Sequence, residues 1–97
     1  GVIICAPEYN GNVPPVLSNV IAWISVTTPY WKDGFESKNF FIASSSGGNA
    51  EKFQISIRNQ LTHIGSKVFD KIIVVNDKNK LDDDVARKDI NAFIKLL

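Results

Sequence analysis

The chain has 97 residues, 44% hydrophobic and 22% charged, with 11 basic and 10 acidic side chains and a formal net charge of +1. That describes one small domain or part of one, of ordinary soluble composition. The interleaved charges leave no electrostatic footprint for nucleic acid, and no apolar run approaches the ~20 residues that span a bilayer. The single cysteine, Cys5, excludes an internal disulfide framework and fits a reducing cytoplasm.

Val2-Ile3-Ile4-Cys5-Ala6 is a continuous, β-branched apolar run. It predicts a strand buried on both faces, as in a parallel sheet, with Cys5 a small core residue. Residues 7–13 read as a loop, because Asn10-Gly11-Asn12 tolerates positive φ. Pro14-Pro15 suits the first turn of a helix, and Leu17, Val20, Ile21 and Ile24 give that helix one apolar face ending near Ser25. Residues 26–38 form an irregular connection that holds Tyr30, Trp31 and Phe35. A second strand follows over 39–44, then the small-residue loop Ser44-Ser45-Ser46-Gly47-Gly48-Asn49. Phe53, Ile57, Leu61 and Ile64 recur at helical spacing, and Gly65 is a natural residue to end their helix. Val68-Phe69 and Ile72 to Val75 supply a third strand centred on 71–75. Asp82-Asp83-Asp84 opens a last helix, where negative charge suits the dipole, and Ala86, Ile90, Phe93, Ile94 and Leu97 form its buried stripe.

The order β-α-β-α-β-α implies an α/β fold with a parallel sheet and right-handed crossovers. In such sheets ligands bind beyond the carboxyl ends of the strands. Two chemically varied loops leave consecutive strand ends, Pro7 to Asn12 and Ser44 to Asn49, so they are expected side by side at one rim.

The stretch "PEYNGNVPPVLSNVIAWIS" resembles the signature of the NADPH-dependent FMN reductase family, at Pro7, Glu8, Tyr9, Asn10, Gly11, Pro15, Leu17, Asn19, Trp23 and Ser25. The Ser/Gly loop and "FQISIRNQLTHIG" are similar to the family's next segments. The sequence departs at Ser18 and Ala22, where the family carries lysine and aspartate. The resemblance implies a three-layer, flavodoxin-like fold and an oxidoreductase of the flavin or quinone reductase type. FMN would be its cofactor, NAD(P)H its reductant, and a small molecule its electron acceptor. It implies that Pro7, Glu8, Tyr9 and Asn10 lie against the flavin ring, with Ser44, Ser45, Ser46 and Gly47 as the second loop of contacts, Ser45 foremost. No side-chain nucleophile or metal is needed, and homo-oligomers are common in the family.

No Ser/Arg-rich phosphate loop precedes Gly1, and the chain lacks methionine. By the resemblance the strands correspond to the third, fourth and fifth of a sheet ordered 2-1-3-4-5. Residues 1–97 are then the C-terminal portion of an FMN-binding domain whose first two βα units are missing. The first strand becomes an exposed apolar edge, and flavin binding calls for the other half of the crevice. The rival expectation is a non-catalytic module that keeps the scaffold and acts in protein–protein interaction. Cys5, His63, Trp23 and the Asp82–Asp84 run carry structural readings: core, helix end, helix or subunit packing, and helix start.

Overall fold

In a computed structural model, which describes residues 1–97, six elements follow one another: β1 (Val2–Cys5), α1 (Pro15–Thr27), β2 (Asn39–Ser45), α2 (Glu51–His63), β3 (Lys67–Val75) and α3 (Asp83–Ile94). The strands form one sheet in the order β1-β2-β3, both pairs parallel, with Val2 opposite Phe40 and Cys5 opposite Ala43. The expected alternation and parallel pairing are both present. Val68 stands opposite Phe40 but Ile72 opposite Ile42, so β3 carries a bulge over Phe69–Lys71. The strand runs from Lys67 to Val75 through the bulge and takes in both Val68-Phe69 and Ile72 to Val75. The freed Phe69 carbonyl accepts from the Arg58 guanidinium at 2.9 Å.

The residues sort into three layers by strand alternation. On one face, Phe40 and Ile42 pack with Phe53, Ile57 and Leu61 of α2, Ile21 of α1 and the connection residue Phe35, joined by Ile4, Ile72 and Val74. On the other face Phe41, Phe69 and Phe93 form an aromatic trio, with ring centroids 5.5, 5.5 and 5.7 Å apart, and fasten α3 to the sheet.

Each helix is bounded by local chemistry. Pro14 is the N-cap of α1, with Pro15 in its first turn. The hydroxyls of Ser25, Thr27 and Thr28 donate back to the carbonyls of Ile21, Trp23 and Ile24, which carries the helix two residues past Ser25. Thr28 then turns extended, as a residue before proline must. In α2, Gly65 takes φ 87°; its N–H bonds Thr62 O and that of Ser66 bonds Leu61 O, a Schellman ending. In α3 the Asp82 carboxylate accepts from the N–H groups of Asp84 and Val85, so the acidic run does open that helix.

Burial corrects several expectations. β1 is not buried on both faces: Val2 is exposed, Ile3 is 47% exposed, and Cys5 is exposed rather than in the core. For Ile3 and Cys5 the cause is their place at the sheet edge, on the face that α3 covers only over β2 and β3; Val2, on the opposite face with Ile4, stands at the start of the strand. Ala6 N–H donates to Ala43 O, so alternation turns the peptide groups of Ile3 and Cys5 toward the free edge. Val20 and Ile24 of α1 are exposed, as are Ile94 and Leu97 beyond Phe93.

Candidate functional site

The first loop leaves β1 at Ala6. Tyr9 and Asn12 exchange backbone hydrogen bonds of 3.1 and 3.0 Å, and Asn10 and Gly11 between them take φ 51° and 69°. Two successive positive φ values define a type I′ reversal, which explains the Asn-Gly pair. Asn12 Oδ1 accepts from Val13 N–H and directs the chain into α1. Tyr9, 57% exposed, and Asn10 project from this turn, and their side chains make no hydrogen bond within the chain. The Glu8 carboxylate, half-buried, accepts from the Phe53 amide in the first turn of α2 at 2.9 Å.

The second loop leaves β2 at Ser45. Ser46 N–H continues the ladder to Val75 O, and Ser46 Oγ accepts weakly from Gly48 N–H at 3.3 Å. Asn76 Nδ2 donates to Gly48 O at 2.7 Å, so the loop after β3 holds the loop after β2. Sequence reading passed over Asn76; asparagine after a strand is common turn chemistry, and nothing local signals a partner 28 residues away.

The two loops lie at one rim, the carboxyl end of the sheet. A hollow of about 500 Å³ is lined by Cys5, Ala6, Pro7, Ala43, Ser44, Ser45, Ile73, Val75, Leu81, Ala86 and Ile90. A second, of about 300 Å³, shares Cys5, Ala6 and Pro7 and adds Tyr9, Pro14, Val16, Leu17 and Val20. Pro7 thus stands between two apolar hollows. The larger is of the size usual for small-molecule sites, ~300–1,000 Å³. Trp31 is elsewhere: its ring lies against His63, at the C-terminal end of α2, and the Lys32 ammonium sits over it. It belongs to the opposite end of the sheet from Pro7 and Ser45.

Three features of the rim fit a flat heterocycle with polar edges. The Ser44 hydroxyl, in a residue only 5% exposed, has no hydrogen-bond partner. A Cβ added at Gly47 or Gly48 would meet nothing within 4 Å, so the chain's own packing leaves that flank open. The walls are otherwise apolar, with the exposed Ser45 at their margin, while Glu8, Asn10, Ser46 and Gly47 do not line the hollow.

An open parallel sheet with helices on both faces and chemically varied loops at its carboxyl rim defines an α/β protein of flavodoxin-like arrangement. The model of one protein family, NADPH-dependent FMN reductase, matches residues 1–80. The chain belongs to that family of flavin-dependent oxidoreductases. No curated protein matches it. No helix is long and apolar enough to cross a membrane.

Proposed function

We propose that the rim binds FMN and serves an NAD(P)H-dependent oxidoreductase of the flavin or quinone reductase type. The observation that carries this reading is the meeting of Pro7, from the loop after β1, with Ser44 and Ser45, from the end of β2, on one apolar hollow, in a chain of this family. FMN, when bound, supplies the chemistry that accepts a hydride from a reduced nicotinamide and delivers electrons to a small acceptor.

The residues divide the work of holding it. Pro7, at the junction of the hollows, stiffens the exit from β1. The I′ turn presents Tyr9 as an apolar body with a polar tip and Asn10 as donor and acceptor together. Ser44, Ser45 and Ser46 supply hydroxyls, and Gly47 permits close backbone approach. Ile73, Val75 and Ala86 exclude water from the inner wall.

The uncovered edge of β1 and the bare flank at Ile3 and Cys5 support a further part of this reading. Residues 1–97 form the C-terminal portion of the flavin domain, and further protein against β1 completes the crevice and tightens binding. Self-association is also part of it. α1 carries no charged residue, and its exposed Val16, Val20 and Trp23 follow i, i+4, i+7 spacing, a stripe suited to a second copy.

Titration of the chain into FMN, read by flavin fluorescence, tests the proposal. Weak but saturable quenching, reduced in Asn10→Ala, is the expected result. No quenching up to millimolar protein, by the chain alone and again after the protein that completes the crevice is added, overturns it. The same bare edge and stripe favour a second reading, a non-catalytic module acting in protein–protein interaction, which that negative result would select.

A further inference from the structure

We propose that Glu8 is a positioning residue, a clasp whose carboxylate caps α2 from outside and so fixes the first loop of the rim against the second. The proposal rests on the reading of the rim as a flavin site for its functional consequence, but its physical core stands on the geometry of α2 alone.

The first N–H groups of any helix lack intrahelical partners. A Ser, Thr, Asp or Asn at the N-cap usually satisfies one, through the amide two or three positions on. Asp82 does this for α3. The corresponding residue of α2 is Ala50, which has no side-chain acceptor and sits buried in the left-handed region at φ 53°, ψ 32°. Glu8 fills the role from 45 residues away: its Oε2 lies 2.9 Å from the N–H of Phe53, the third residue of the helix. The position is one a capping side chain takes, and negative charge there suits the helix dipole.

A second contact joins the same two segments. At Gly11 a Cβ would stand only 3.1 Å from the Lys52 Cδ, so the I′ turn rests on the aliphatic stem of Lys52. Glu8 and Gly11 bracket Tyr9 and Asn10, and both are seated on the first turn of α2. That turn is the direct continuation of the Ser44–Asn49 loop. Glu8 therefore acts on the rim through Phe53, holding Tyr9 and Asn10 at a set distance from Ser45 and Gly47. Its carboxylate is a brace for the residues that meet the ring.

The full chain and two variants, Glu8→Ala and Glu8→Gln, test this by amide hydrogen exchange and by FMN titration. Loss of a cap accelerates exchange at Phe53 in Glu8→Ala by roughly fivefold, with shifted resonances at Tyr9, Gly11, Gly47 and Gly48. Glu8→Gln keeps an acceptor oxygen of the same reach and returns both readouts to within about twofold of the natural chain. FMN affinity falls in Glu8→Ala and recovers in Glu8→Gln. Unchanged Phe53 exchange in Glu8→Ala overturns the clasp. So does a Glu8→Gln variant as defective as Glu8→Ala, which would assign Glu8 a direct charge contact. If flavin is not quenched even with the crevice completed while the exchange pattern holds, the flavin reading falls and the clasp stands.

Discussion

Asn76 and Gly48 are joined by a 2.7 Å hydrogen bond from the Asn76 amide to the glycine carbonyl. The other end of the same side chain accepts from Lys78 and Asn79 N–H at 2.9 and 2.8 Å, and Asn79 Nδ2 donates to Val74 O. One asparagine therefore shapes its own turn and anchors its neighbour. Asn76→Ala is expected to cost about 1–2 kcal/mol in urea unfolding. Asn76→Asp keeps the acceptor but replaces the donor with a carboxylate oxygen that repels the Gly48 carbonyl. Its resonance changes should concentrate at Ser46–Asn49 and spare Lys78 and Asn79.

Gly11 sits at φ 69° above Lys52. Gly11→Ala meets both left-handed strain and the Lys52 stem, a penalty of about 1–2 kcal/mol, or roughly 4–16 °C in Tm for a domain of this size. Thermal unfolding by circular dichroism checks it. Asn10→Gly, at φ 51° in the same turn, is expected to leave Tm nearly unchanged, since glycine accepts that conformation without strain.

Arg58 satisfies the carbonyl that the β3 bulge strands at Phe69. Arg58→Met preserves much of the aliphatic stem and removes the charged donor, with an expected loss of about 1.5–3 kcal/mol. Denaturant midpoints measure it. Arg58→Lys should recover part of the loss, because the ammonium donates but lacks the planar reach of the guanidinium.

Trp23, 61% exposed, is the largest side chain of the α1 stripe. Sedimentation equilibrium should find the natural chain dimeric at tens of micromolar and Trp23→Glu monomeric. The unfolding free energy of the monomer should change by no more than about 0.5 kcal/mol, as for other exposed sites. A natural chain monomeric throughout that range removes the self-association proposal.

The alternation of elements, their order and the meeting of two loops at one rim were legible because each depends on local pattern. Apolar runs bounded by Asn-Gly, Pro-Pro and Asp82–Asp84 are short-range signals, and the structure uses each where it stands. Burial was less legible. Ile3, Cys5, Val20 and Ile94 are as apolar as Ile42 or Ile57, yet they are exposed, because apolarity says that a residue favours a partner and not whether a partner faces it. The β3 bulge was hidden for a related reason: Phe69-Asp70-Lys71 breaks the period of the strand, and its repair by Arg58 is a tertiary event. Glu8 was visible as part of a motif, but its bond to Phe53 depends on how two distant segments meet.

The outer margin of Val2–Cys5 carries no proline, lysine or bulge to discourage extension. Any extended segment laid there meets the unpaired peptide groups of Ile3 and Cys5, so whatever protein covers this margin should slow amide exchange at those two positions and leave Ile4, already turned toward β2, unchanged.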